Sequence, residues 1–308
     1  MKKKFTLILC MATFLFSMGA IQAQTPSDAI MMKKRELCFA FMYEHGSWDQ
    51  YWEGTQLRSN ATVATLKRNV FLPMVAIGLL DKVNLIVGVP YIQTKSSEPN
   101  GGKFDGAQGF QDLRLALKGE IINKQIAQGK LAFLTTLGYS TPITNYLSDY
   151  MPYSIGFGAN EVSLRGILQY QWDKGMYVRT SLAHLWRGQT KAERDYYYNN
   201  GSYYTAWMDV PNAWTYDGVA GIWLLENSLR IEASYMGLKS TSGDDIRSYN
   251  APQPTNKVNV DQVGGFAQYY FRKIKGFGVL GYYSQIVNGR NMGKFSTFGV
   301  GATYQFKI

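Results

Sequence analysis

Apolar and polar residues alternate along this chain in stretches of about ten residues, and the links between the stretches alternate between short and long. The last stretch is the clearest. Phe298, Val300, Ala302, Tyr304, Phe306 and Ile308 alternate with Gly299, Gly301, Thr303, Gln305 and Lys307. A strand points successive side chains to opposite faces, so this pattern makes one oily face and one small or polar face. The same reading holds for Leu37 to Tyr43, Val83 to Tyr91, Leu113 to Leu117, Val162 to Trp172, Leu229 to Tyr235 and Val263 to Phe271. About twelve such strands can be placed. Short links fall at Gly78 to Lys82, Asn123 to Gly129, Asp173 to Gly175, Glu226 to Ser228 and Lys273 to Gly276. The other links cover 45–60, 95–111, 141–160, 188–213, 239–259 and 288–294. A soluble sandwich gives no reason for that rhythm. A transmembrane barrel does, because its periplasmic turns are short and its external loops long. The expected fold is therefore all-β: a transmembrane antiparallel up-and-down β-barrel of about twelve strands, with short periplasmic turns and long extracellular loops. Both termini of an even-stranded barrel fall on the short-turn side.

The start of the chain agrees with export. Lys2, Lys3 and Lys4 precede an uncharged apolar run from Phe5 to Gly19, and Ile21-Gln22-Ala23 offers a small-residue cleavage site. An N-terminal membrane anchor is the rival reading, but the run is short of the ~20 residues a spanning helix needs. The expected division is a signal peptide over 1–23, a short leader over 24–35 that is too small to be a plug domain, and one barrel domain over 36–308. The expected address is the outer membrane. No later stretch is long and apolar enough for a transmembrane helix. Aromatic residues reach 15%, with 22 tyrosines, which suits the girdles of a membrane barrel. Cys10 leaves with the signal, so Cys38 is alone and forms no internal disulfide. The net charge of +10 comes without a clustered basic stripe, which argues against a nucleic-acid partner.

Enzymatic chemistry finds little to work with. His45 and His184 are the two histidines, and neither is placed between an acid and a nucleophile. There is no paired Cys or His spacing for zinc and no glycine-rich phosphate loop. Asp244 and Asp245 alone fall short of the six to eight oxygens of a calcium site. The expectation is a non-enzyme with no cofactor and no metal. The polar strand faces are richer. Asp112, Arg114, Lys118, Glu120, Arg165, Arg179, Arg230, Glu232 and Arg272 are expected to point into the lumen, while Leu113, Leu115, Leu117, Leu164 and Leu168 point to lipid. Such charges either pair and stiffen the wall or line a wet path. Twelve strands lie between the filled eight-stranded barrel and the open porin, so a narrow channel is the expected bore. The external loops carry aromatics: Trp48, Tyr51 and Trp52 in the first, and Tyr196, Tyr197, Tyr198, Tyr203, Tyr204 and Trp207 in the fourth. They form either an outer girdle or a stacking surface for an apolar, aromatic or sugar ligand.

Two short segments carry resemblances. Gly301, Tyr304 and Phe306 are placed as in the C-terminal signal by which the barrel-assembly machinery recognises its clients, although Lys307 and Ile308 follow the usual terminal aromatic. Gly109-Phe110-Gln111-Asp112-Leu113-Arg114-Leu115-Ala116-Leu117-Lys118 resembles the G-x-G-D-L-x-L-x-x-K segment of the barrel family named for the meta-pathway of phenol degradation, with Gln111 in place of the second glycine. Val89-Pro90-Tyr91 and Trp172-Asp173-Lys174-Gly175 are also similar to that family. The resemblance implies an outer-membrane transporter, distantly similar to fatty-acid and aromatic-hydrocarbon uptake barrels, with hydrophobic or aromatic cargo. The expected function is thus a channel or transporter for small molecules. The alternative is a closed structural or surface barrel whose loops bind a partner or glycan. The expected partners are outer-membrane lipid and lipopolysaccharide, the assembly machinery during biogenesis, and a small cargo of unknown identity.

Overall fold

The computed structural model describes residues 24–247 and 252–308; the expected signal peptide over 1–23 and its cleavage site lie outside these residues. Twelve antiparallel strands close into a barrel. They are β1 (Glu36–Trp48), β2 (Leu66–Leu80), β3 (Val83–Gly88 continuing as Tyr91–Asn100) and β4 (Phe104–Phe110 continuing as Asp112–Ile126). Then follow β5 (Gly129–Pro142), β6 (Glu161–Trp172), β7 (Met176–Arg187), β8 (Ala213–Leu224), β9 (Leu229–Ser240), β10 (Asn259–Tyr270), β11 (Phe277–Arg290) and β12 (Ser296–Lys307). Each pairs with its sequence neighbour, and β1 pairs with β12 from Glu36↔Lys307 to Ser47↔Ser296, which closes the ring and leaves no open edge there.

The alternation sets which way each side chain points. On β7, Tyr177, Arg179, Ser181, Ala183 and Leu185 are buried inside, while Met176, Val178, Leu182 and Trp186 are exposed on the outer wall. Phe39, Phe41, Leu117, Leu137, Leu164, Leu168, Tyr235, Val300 and Tyr304 continue the outward belt around the barrel. Among the described residues no helix is long and apolar enough to cross a membrane. The strands cross instead, because a closed barrel satisfies its backbone groups internally.

Two strands break midway. β3 interrupts at Val89-Pro90, where Pro90 offers no N–H to the ladder, and β4 interrupts at Gln111. Below the breaks β3 pairs with the inner half of β4, and β5 pairs with that same half. Above them, Phe104–Phe110 pairs with β3 alone. Loop 143–160 covers part of its other side: Ile143 N donates to Gln111 O at 3.2 Å and Thr144 Oγ1 donates to Phe110 O at 2.5 Å. The expected irregular loop at 95–111 is instead mostly strand, turning over at Gly101-Gly102-Lys103, where both glycines have positive φ.

Aromatic rings and glycines knit neighbouring strands. Tyr177 lies over Gly221 on β8 and donates to Glu232 Oε1 on β9 at 2.5 Å. Tyr282 lies over Gly299 on β12 and donates to Glu44 Oε2 on β1 at 2.7 Å. Each ring occupies the volume that a Cβ on the glycine would need, so the glycine is a steric requirement of the tyrosine.

The leader is not outside the barrel. Residues 24–35 run inside the lumen at its periplasmic end. Met32 packs among Cys38, Ala76, Ile86 and Ala116 on β1 to β4. Ala29 and Met31 pack against Ala132, Leu134 and Ile167 on β5 and β6. Ile30 packs with Tyr177, Val219, Trp223 and Tyr270 on β7, β8 and β10. Twelve residues thus touch most of the ring and give its inward apolar side chains a partner. The segment is too small to be a plug domain, yet it occupies the place of one.

Candidate functional site: the lumen and its outer mouth

Lys118 holds the leader in place. It is fully buried, and its Nζ donates to Asp28 Oδ1 at 2.6 Å and to Thr25 O at 2.9 Å. Asp28 in turn accepts from Thr25 and from the Ile30 backbone N–H, Thr136 Oγ1 donates to Pro26 O, and Gln24 Nε2 donates to Asn84 Oδ1. The inward polar face of the wall therefore binds a piece of the same chain.

Higher in the lumen the charges pair. Arg165 donates to Ser181 Oγ at 2.5 Å and Thr215 Oγ1 at 3.0 Å, and lies 3.3 Å from Asp217, which also accepts from Ser181. Arg179 contacts Glu232 at 3.1 Å. Arg230 lies 3.9 Å from Glu232, with its guanidinium over the Phe266 ring at 4.6 Å. Asp112 accepts from Tyr146 of loop 143–160 at 2.7 Å, and Arg114 donates to Gln111 Oε1 at 2.9 Å and stays exposed. Burial and the neighbouring Asp112 carboxylate push the Tyr146 hydroxyl well above the usual tyrosine range. Two of the expected lumen residues sit elsewhere. Arg272 is not on the wall but in the turn after β10, exposed, bonded to Leu225 O and Ser228 Oγ and ion-paired to Glu226. Strand β10 ends at Tyr270, so the alternation that placed Arg272 inside stops two residues too early. Glu120 lies at the periplasmic rim, where its N–H donates to Lys82 O in the β2–β3 turn and its carboxylate accepts from Asn123.

Two cavities stack along the bore. The inner one, about 550 Å³, lies above the leader and is lined by Asp28, Glu44, Arg68, Arg179, Arg230 and Glu232 among others. The outer one, about 750 Å³, lies under the loops, with Trp48, Tyr51, Leu66, Ile155, Phe157 and Phe295 in its wall. Arg68, Met292 and Phe295 line both and mark where they meet. Loop 143–160 builds much of the outer wall by folding back into the mouth. Tyr153 is fully buried among Trp48, Val63 and Leu66, Thr94 Oγ1 donates to its carbonyl at 2.7 Å, and Ile155 packs on Val70 and Ile92.

The loop aromatics divide. Trp48 belongs to β1 rather than to a loop and faces inward, packed over Gly293. Trp52 is buried over Gly289, and Tyr51 bridges to Gly293 from a small hairpin, Gln50–Glu53 with Gln56–Ser59. In the fourth loop Tyr197 is buried and stacks on Tyr203 at 5.1 Å, whereas Tyr196, Tyr198, Tyr203, Tyr204 and Trp207 are exposed. At the C-terminus Tyr304 faces lipid, Phe306 stacks on Phe39 of β1 at 6.1 Å, and Gly301 faces inward against Met42. Among the described residues no group of His, Cys, Asp and Glu could hold a metal ion.

Arg68 and Asp28 are the residues that sequence reasoning missed. Leu66-Lys67-Arg68-Asn69-Val70 puts three polar residues in a row, so alternation gives no inward side there. Lys67 turns out and Arg68 in because Leu66 and Val70, two residues to either side of Arg68, are buried.

No family model matches the chain, and no curated relative does. Solved structures do. An outer-membrane channel from Pseudomonas putida F1 is 13% identical, with 92% of this chain and 100% of that one covered at a TM-score of 0.71. The translocator domain of the autotransporter NalP from Neisseria meningitidis is 12% identical over 88% of each chain, at a TM-score of 0.44. The first of these carries the comparison. The chain has the fold of an outer-membrane channel, and its belt of exposed apolar side chains is the surface that such a barrel turns to lipid.

Proposed function

We propose that the protein is a passive outer-membrane channel for small molecules whose bore is narrowed by its own leader. The observation that carries this is the pair of cavities that meet at Arg68, one opening under the loops and the other ending on the leader. A barrel that served only as a wall has no need of two voids in line. The lumen charges Asp112, Arg114, Lys118, Arg165, Arg179, Arg230 and Glu232 then have two duties: most fix the wall and the leader by pairing, and Arg114 is left to meet the solvent of the bore. Hydrophobic or aromatic cargo, as the resemblance around Gly109 to Lys118 implies, is consistent with the aromatic wall of the outer cavity. Tyr304 and Phe306 serve as the assembly signal.

Single-channel recording in planar bilayers tests the reading. Small steady steps are expected from the whole protein, and larger ones from a variant lacking residues 24–32. Silence from both would favour the closed surface barrel.

A further inference from the structure

Most of the lumen cations are ion-paired; Arg114 is exposed and bonded to Gln111, which leaves Arg68 as the partly buried cation without an ion pair among the described residues. Lys118 has Asp28, Arg165 has Asp217, Arg179 and Arg230 share Glu232, and Arg187 has Glu161. The Arg68 side chain makes no hydrogen bond or ion pair among the described residues, although its backbone is part of the strand ladder. The acid on the neighbouring strand, Glu44, is held by Tyr282 Oη at 2.7 Å and makes no ion pair with Arg68. Arg68 is flanked across the ladder by Gly46 on β1 and Thr94 on β3, neither of which brings charge. It stands at the junction of the two cavities, below the aromatic wall formed by Trp48, Tyr51, Phe157 and Phe295. An arginine partly removed from water, with only the field of a carboxylate already bonded to Tyr282 and no hydrogen-bonded acceptor of its own, gains from a ligand that supplies one. A guanidinium binds carboxylate in a two-pronged fork, and an apolar wall takes up whatever carbon the carboxylate carries. The outer cavity is within the size range of small-molecule sites, ~300–1,000 Å³.

We propose that the outer cavity is a binding site for a small organic carboxylate: an apolar, ring-sized body against Trp48, Tyr51, Phe157 and Phe295, and one carboxylate on Arg68. The proposal rests on the channel reading for its purpose, since it names the class of cargo held at the narrow point. The other cation of this cavity, Arg247, is already engaged by Asp245 at 3.7 Å, and its acid Glu53 is paired with Arg58 at 2.5 Å. Arg68 therefore supplies the positive end of the site.

The test is calorimetric titration of the purified full-length barrel with 4-phenylbutyrate, its uncharged amide 4-phenylbutyramide, and acetate. The variants are Arg68→Gln and Arg68→Lys, each checked for a folded barrel by its heat-modifiable migration. Phenylbutyrate is expected to bind more tightly than the amide or acetate. Arg68→Gln should weaken phenylbutyrate by at least ~10-fold, as loss of a charged hydrogen bond implies, and leave the amide unchanged. Arg68→Lys should restore part of the affinity. Equal loss for acid and amide, no preference for the acid in the unaltered protein, or acetate bound as well as phenylbutyrate would each overturn the proposal. Conductance measured on the same preparations separates the two claims. Steps without Arg68-dependent binding sink the site alone, and binding without steps sinks the channel alone.

Discussion

Lys118 Nζ lies 2.6 Å from Asp28 Oδ1, joining the middle of the barrel wall to a leader residue 90 positions earlier, with both side chains almost wholly buried. Breaking a buried pair by removing one partner typically costs about 3–5 kcal/mol, because the other charge is left uncompensated. Asp28→Asn should therefore loosen the leader while leaving the strand ladder intact. Hydrogen exchange is expected to rise in residues 24–35 with little change in β6 to β12, and single-channel conductance should increase. Unchanged protection of the leader would show that its apolar contacts hold it without the ion pair.

Arg114 and Arg165 should respond differently to charge reversal. Arg165→Glu would face Asp217 across the contact that now measures 3.3 Å, and the thermal stability of the barrel should fall. Arg114→Glu loses the bond to Gln111 and a favourable charge near Asp112, but at an exposed position where water screens both, so stability should fall much less than for Arg165→Glu while selectivity shifts toward cations. Reversal potentials in a salt gradient, read beside melting curves, check both outcomes. The opposite assignment of the two effects would refute the division between pairing and lining residues.

The lipid face gives a third test. Leu117 points outward beside Leu137, its partner on β5. Leu117→Arg should destabilise the barrel by ~2–4 kcal/mol if that face meets the middle of the bilayer. Phe306→Asp should cause loss of the protein in the periplasm, since Phe306 is both on the terminal strand and stacked on Phe39 where the barrel closes. Folded, heat-modifiable Phe306→Asp barrel at normal levels in the outer membrane would count against an assembly role.

The fifth external loop carries an acid-sensitive clasp. Asp245 accepts two hydrogen bonds from Arg290 at 2.6 Å each and one from Asn291 at 2.9 Å. The Arg290 bonds outweigh the effect of burial, and with Asn291 they hold the Asp245 carboxyl down at about 2. A carboxyl lowered in the folded state stabilises above its ordinary value of 3.8, and that contribution is lost as pH falls toward about 2. Protease cutting in 241–258 should rise over that window in the unaltered protein. In Asp245→Asn, cutting should already be high at neutral pH and nearly independent of acid.

The barrel was legible because a membrane wall imposes one rule at every position. A residue two places on from an oily one must also be oily, and any charge must turn inward. That rule suffices for twelve strands, for the outward leucines of β4 and β6, and for the inward Lys118, Arg165, Arg179, Arg230 and Glu232. It fails where the wall does not continue. Arg272 lies past the end of β10, and the stretch from Leu66 to Val70 has too many polar residues to show a face. It also has nothing to say about contacts between segments far apart in sequence. Nothing in residues 24–35 announces that they fill the lumen, because their apolar side chains form one run, Ala29 to Met32, too short to show a period. Ile30, Met31 and Met32 find their partners on strands from β1 to β10 only once the ring has closed around them. Likewise Arg68 acquires its place between two cavities only when Tyr153 and Ile155 fold back over the mouth. Alternation along one strand determined the wall. What occupies the space inside it was decided by tertiary packing, since a lumen is a property of the closed ring and of no single strand.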